Sequence, residues 1–158
     1  MRDRRIRRIL VVVVALITLL VAAGCAPPPP AASLSPTGND VFAKHWVRRS
    51  AHGLPVLGLD DGATANAQFH AERLANGAWN CSNLWHSPEM RSWYGGYAWG
   101  ENIACVPGCP NDARMAWEMW LSSPPHLANI ENPVFGLIGV GVACNGAVQM
   151  LVTHFRSS

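Results

Sequence analysis

Hydrophobic and polar positions divide the chain into three stretches. Five arginines, Arg2, Arg4, Arg5, Arg7 and Arg8, precede an apolar run from Ile9 to Gly24 broken only by Thr18. The run is 16 residues long, short of the about 20 that a membrane-crossing helix needs. Ala22, Ala23 and Gly24 then lead into Cys25. A basic head, a short apolar core and a small-residue processing site mark an export signal over residues 1–25. A cysteine directly after the small residues predicts lipoprotein processing, with Cys25 lipidated and made the first mature residue. Pro27 to Pro30, and then Ala31 to Gly38, show no apolar periodicity. Residues 26–38 therefore read as a polyproline-like tether that holds a domain off a membrane.

Helical spacing begins in the third stretch, residues 39–158. Asn39 and Asp40 are N-cap types ahead of Val41, Phe42, His45 and Trp46, and Gly53 and Pro55 close that pattern. A second helix is expected from Asp60 or Asp61 to Asn76 or Gly77, because Ala63, Ala67, His70, Ala71 and Leu74 recur at three- and four-residue steps. A third fits Asn111 to Ser122, with Ala113, Ala116, Trp117 and Trp120 on one face and Pro124 and Pro125 as its stop. The pattern then changes. Leu137 to Ala143 and Val148 to Phe155 are apolar runs joined by Cys144-Asn145-Gly146-Ala147, which predicts an antiparallel hairpin. Helices followed by strands give an α+β domain.

Between Trp79 and Trp99 the chain is dense in Trp, Tyr and Gly. Two readings stay open for this stretch. Its aromatic rings cover the core, or they form a rim for an amphiphilic or sugar ligand.

Charge changes the picture once the signal is set aside. The chain has 12 Lys+Arg and 10 Asp+Glu. Residues 1–25 hold five Arg and one Asp, which leaves seven basic and nine acidic residues, a net of −2. No basic patch remains, so nucleic acid is not an expected partner. Four cysteines follow Cys25: Cys81, Cys105, Cys109 and Cys144. An even count in an exported chain reads as two disulfides. The competing reading is a zinc site using the Cys105-x3-Cys109 spacing, but Cys81 and Cys144 do not form a second ligand pair.

Three stretches carry a family resemblance: Leu84-Trp85-His86-Ser87, Gly100-Glu101-Asn102-Ile103-Ala104, and Trp120-x-x-Ser123-Pro124-Pro125-His126-x-x-Asn129-Ile130. Phe135-x-x-Ile138-Gly139-Val140-Gly141 follows them. In order and spacing they resemble the CAP superfamily of cysteine-rich secretory, antigen 5 and pathogenesis-related-1 proteins, also called the SCP domain. The resemblance implies an α-β-α sandwich with a small antiparallel sheet between helical layers. It also implies a groove lined by histidines and acidic residues, with His86, Glu101 and His126 at matching positions. Ser123 is groove-adjacent and stands where many members carry a second glutamate. Trp46 stands where a helix asparagine is usual. By the family's cysteine pattern, Cys81 pairs with Cys144, and Cys105 with Cys109.

Two imidazoles and a carboxylate from separate segments suit zinc or another divalent metal, with a position left for water. The plainer reading is a hydrogen-bonded cluster that satisfies buried polar groups. With two disulfides and an aromatic core, no metal is expected to be required for folding. Ser122 or Ser123 with His126 lacks the Gly-x-Ser-x-Gly elbow of a serine hydrolase. His70 reads as a packed residue, and His154 has no visible partner. Asn80-Cys81-Ser82 matches a glycosylation sequon in a chain whose signal is bacterial in type. The expected function is an exported, membrane-tethered, monomeric binding domain for a lipid or cell-envelope ligand, with no confident catalytic residue. The alternative is a metal-assisted hydrolase using the same groove.

Overall fold

The structure, a computed structural model, describes residues 33–77 and 81–158. The signal segment, Cys25, the first part of the tether and the residues around Trp79 and Asn80 lie outside the described residues. The elements in chain order are α1 (Pro36–Ala51), β1 (Gly58–Leu59), α2 (Asp61–Gly77), α3 (Met90–Tyr94), β2 (Trp99–Pro107), α4 (Arg114–Ser122), α5 (Pro124–Glu131), β3 (Leu137–Cys144) and β4 (Val148–Arg156). Among the described residues no helix is long and apolar enough to cross a membrane.

Helix α1 begins a turn earlier than Asn39 and Asp40 suggest. Pro36 sits in its first turn, and the Ser35 hydroxyl accepts from the Gly38 amide at 3.1 Å. Proline is preorganised for a first helical position, and serine is a strong N-cap. Asn39 instead donates its side-chain amide to the Leu34 carbonyl at 3.1 Å. The end of the expected tether is therefore part of the fold. Pro124 and Pro125 likewise do more than stop a helix: α4 ends, Ser123 takes an extended conformation, and α5 starts on the prolines.

The four strands form one sheet in the order β1-β3-β4-β2. Strands β2, β4 and β3 are antiparallel neighbours, whereas the two-residue β1 joins β3 in parallel. Alternation divides the sheet residues between two layers. On one face Ile103, Cys105, Val148, Met150 and Val152 pack with Ala67, Ala71, Leu74 and Ala75 of α2. On the other, Ala104, Val106, Val140, Leu151 and Phe155 pack with Val41 and Phe42 of α1, Ala116 and Trp120 of α4, and Ile130 of α5. This is the expected α+β sandwich, with a mixed rather than purely antiparallel sheet.

Helix α2 lies unusually close to the sheet. A Cβ added to Gly139 would overlap the Ala63 backbone, and one added to Gly141 would overlap the Ala67 backbone. The alanine stripe of α2 and the Gly-x-Gly of β3 are two halves of one contact. On the opposite layer, the guanidinium of buried Arg49 ties the loop after α1 to the end of α5 and the loop that follows it. It donates to the carbonyls of Pro55 at 2.7 Å, Ile130 and Asn132 at 2.9 Å, and Phe135 at 3.0 Å.

The disulfide framework is present, but its pairing corrects the one implied by resemblance. Cys81 joins Cys105, and Cys109 joins Cys144, with Cα atoms 5.4 and 5.8 Å apart. Strand geometry explains the exchange. Cys105 lies within β2 and faces the α2 layer, so it meets the segment that leaves α2 and carries Cys81. Cys109 lies beyond the end of β2, and Cys144 is the last residue of β3. Both of those strands flank β4.

Gly141→Ala should destabilise the domain by about 1–3 kcal/mol or more, because the new methyl meets helix backbone that cannot rotate away. Urea unfolding checks this, with Gly77→Ala, where an added Cβ meets nothing within 4 Å, as the comparison; an equal loss in both would contradict the close-packing account.

Candidate functional site

The β2–β4 register places Glu101 directly opposite His154. Both side chains point to the α2 layer, and the Glu101 side chain is only 2 % exposed. A buried carboxylate needs donors, and this one has four. His86 Nδ1 donates to Oε1 at 2.7 Å, and the Ser87 amide donates to the same oxygen at 3.0 Å. The Ser87 hydroxyl and His154 Nε2 each donate to Oε2 at 2.9 Å. His70 of α2 stands 3.7 Å from Oε2, but its short bond is to the Trp85 carbonyl at 2.9 Å.

The network continues inward. Tyr94 of α3 is 3.0 Å from His154 Nδ1 and receives the Asn66 side-chain amide at 3.3 Å. A continuous chain of hydrogen bonds thus runs from Asn66 through Tyr94 and His154 to Glu101. Burial pushes the Tyr94 hydroxyl up to about 12, so it keeps its proton.

Burial alone would raise the Glu101 carboxyl. The hydrogen bond and charge of His154, the Ser87 amide and the His86 hydrogen bond outweigh burial and bring it down to about 2. His70 is lowered below its usual value, first by burial, and therefore stays neutral at neutral pH. His126 is lowered too, by burial and then by the charge of His86.

His86 differs from the other members of the cluster in being open, with its side chain 70 % exposed. Its Nδ1 is held by Glu101, which turns Nε2 outward. Beside it lies a cleft of about 210 Å³ lined by Leu84, Trp85, His86, Ile103 and His126. Two asparagines from the sequence motifs hold the His126 segment in place. Asn129 of α5 donates to the Glu101 carbonyl at 3.2 Å and to the Asn102 side chain at 2.9 Å. Asn102 in turn donates to the His126 carbonyl at 3.0 Å. These bonds fasten the first turn of α5 to β2 and carry His126 to the cleft.

The structure thus brings His86 and Glu101 into contact and places His126 in the lining of the same cleft as His86. Glu101 lies beneath the cleft rather than in its lining. Ser123 occupies the α4–α5 junction and is not among the lining residues. Ser122 donates to the Met119 carbonyl at 3.0 Å and so faces its own helix. Sequence reasoning missed His154, Ser87 and Tyr94 as partners of the site. For His154 the signal was available: alternation along the predicted hairpin puts it on the same face as Met150 and Val152.

Among the described residues no group of three or more His, Cys, Asp or Glu side chains is arranged to hold an ion. What the cleft offers a metal is two imidazoles. His86 is the better prepared, because a carboxylate on its inner nitrogen orients the ring. His126 keeps a buried Nδ1 without a partner.

The family model described as the cysteine-rich secretory protein family matches residues 42–155. Among solved structures, an outer surface protein from Borrelia burgdorferi aligns with a TM-score of 0.63 at 18 % identity, covering 78 % of this chain and 96 % of that one. An extracellular protein containing an SCP domain, from Bacillus anthracis, aligns at 0.55 and 23 % identity, covering 81 % and 45 %. A cysteine-rich secretory protein from Staphylococcus aureus aligns at 0.59 and 16 %, covering 79 % and 40 %. The chain spans less than half the length of the last two. A search of curated proteins returned no match.

Glu101→Gln keeps the shape but loses the charge that four donors address. It should cost about 1.5–3 kcal/mol at neutral pH. In the parent, a carboxyl lowered from 4.5 to about 2 on folding adds stability that is fully present above pH 4.5 and is lost as pH falls toward 2. Acid titration of urea midpoints should show that limb in the parent and a flattened one in the variant.

Proposed function

This chain belongs to the cysteine-rich secretory protein family, and on that premise we propose that it is an exported, membrane-tethered binding domain. Its ligand is a lipid or another apolar cell-envelope component, seated in the cleft between Trp85 and His126. The observation that carries this reading is the state of Glu101. Both of its oxygens are occupied by internal donors, and its carboxyl is held at about 2. A general base works best with a pKa near the operating pH, and this group is several units away. The cleft wall is otherwise apolar, from Leu84, Trp85 and Ile103, with Leu84 and Trp85 about 40 % exposed. Export is supported by the two disulfides, which persist in oxidising compartments, and by the signal pattern before Cys25. In this reading the cysteine carries the lipid anchor and residues 26–32 the spacer.

A divalent metal fits the same cleft as an accessory. His86 and His126 would hold it, with Glu101 orienting His86 from behind. Zinc suits imidazole nitrogen, and calcium does not, because the cleft wall offers no carboxylate. When bound, such an ion supplies a Lewis-acid point for an anionic headgroup. Two protein ligands make a weak site. Imidazole binds only when neutral, and His126 is lowered from 6.5, so its share of the affinity should persist to pH values below 6.5 before failing. The sandwich is held by two disulfides and two apolar layers, so chelation should leave the fold intact.

Native mass spectrometry of the protein extracted from its own membrane tests these points in one measurement. Expected are a diacyl mass on the N-terminal peptide at Cys25, a retained lipid-sized adduct that is lost in Trp85→Ala, and weak zinc occupancy that is lost in His86→Ala with His126→Ala. A protein free of any adduct, together with ester hydrolysis that requires Glu101, would replace binding with the hydrolytic reading.

A further inference from the structure

A second pocket opens on another part of the surface, where α2 starts, α3 ends and β4 finishes. Its volume is about 240 Å³, and its walls include Asp60, Asn66, Trp93, Tyr97 and Arg156. That is smaller than the roughly 300–1,000 Å³ typical of drug-sized ligands, and so suits a single ring.

The chemistry of the lining is specific. Tyr97 is 50 % exposed, so its ring is open to a ligand. The Arg156 guanidinium lies over the Tyr97 ring at 5.1 Å, and its Nη2 donates to Asp60 Oδ2 at 2.6 Å. The other Asp60 oxygen accepts the Ala63 amide at 2.6 Å. The carboxylate and guanidinium are therefore oriented in advance and neutralise each other. Asn66 spends one amide hydrogen on Tyr94 and keeps the remaining amide functions for the pocket.

We propose that this pocket binds one ring of an uncharged, β-linked hexose oligosaccharide. A pyranose with equatorial hydroxyls presents a flat C–H face, which the negative face of an aromatic ring attracts. Its edge is a row of hydroxyls, each both donor and acceptor, and it needs planar groups of both kinds around it. Tyr97 supplies the ring face that Arg156 leaves open, with Trp93 beside it in the lining; Asp60, Asn66 and Arg156 supply the planar polar groups. Because the Asp60–Arg156 pair is neutral overall, the pocket has no net charge to reward an anionic or cationic ligand. An apolar chain would leave the spare Asn66 amide functions without partners on losing water, which is costly. The site is separate from the His86 cleft, and the proposal stands whether or not that cleft is filled.

Calorimetric titration of the detergent-extracted full chain with tetra-N-acetylchitotetraose and with cellotetraose tests it, alongside hydroxyl-radical footprinting. At least one sugar should bind, with Tyr97 and Trp93 protected from oxidation. Tyr97→Ala should weaken binding by about tenfold or more, whereas Tyr97→Phe should retain it. Trp85→Ala, in the other cleft, should leave it unchanged. Circular dichroism of Tyr97→Ala should match the parent, since the ring is half in solvent. The proposal is overturned if neither sugar binds at about 10 mM, or if Tyr97→Ala binds as the parent does. Protection confined to Trp85 and Leu84, or tighter binding of anionic tetragalacturonate than of either neutral sugar, would also overturn it.

Discussion

One buried carboxylate organises this domain. Glu101 sits on an inner strand face with its side chain almost fully out of water. An ionised group in that place is tolerated only when donors surround it. Its four donors come from two places, β4 and the segment that follows α2. Satisfying the charge therefore fixes the path of the His86 segment against the sheet. It also fixes the ring orientation of His86 and His154. The polar centre acts as a positioning device, and the cleft above it inherits its geometry.

The second constraint is steric. Helix α2 rests on β3 through alanine against glycine, at a separation that excludes any Cβ on the strand. Close approach of the helix brings His70 to within 3.7 Å of Glu101 and Asn66 to the Tyr94 hydroxyl. A larger residue in the stripe would lift the helix and open that network. On the opposite layer buried Arg49 does comparable work with charge-assisted bonds, clamping the loops around α1, α5 and β3. The two faces of the sheet are thus held by different physics, close packing on one and a guanidinium on the other, with apolar burial beneath both.

These constraints also bear on function. A carboxylate pinned by its own fold is a poor proton acceptor, while a histidine oriented by that carboxylate is a good ligand or hydrogen-bond partner. The aromatic stretch from 84 to 99 divides accordingly. Tyr94 is buried in the network, Trp93 is half-buried, and Trp85, Tyr97 and Trp99 stay open to solvent. Neither of the two readings open for this stretch is right for the whole of it: some rings close the core, and others face outward at two separate pockets.

The periodic elements were legible in the chain. The alanine-spaced α2, the core stripe of α4 and the Asn-Gly hairpin stand close to where local pattern places them, because amphipathic spacing and turn chemistry act over a few residues. Motif spacing also singled out His86, Glu101 and His126. Capping was less legible: Ser35-Pro36 outcompetes Asn39-Asp40, since two cap signals lay within one turn and the choice depends on what the preceding residues pack against. Short β1 and α3 carry too few residues for a period to show. The disulfide partners, and the role of His154, belong to the tertiary structure alone. Cys105 and Cys109 are near in sequence, yet one lies within β2 facing α2 and the other beyond the strand end, so each meets a distant partner. His154 finds Glu101 only through a strand register that joins positions 53 apart. Local pattern determines which residues form elements and which face they bury; only the packed sheet decides which distant polar groups meet, because that depends on register and layer rather than on neighbours in the chain.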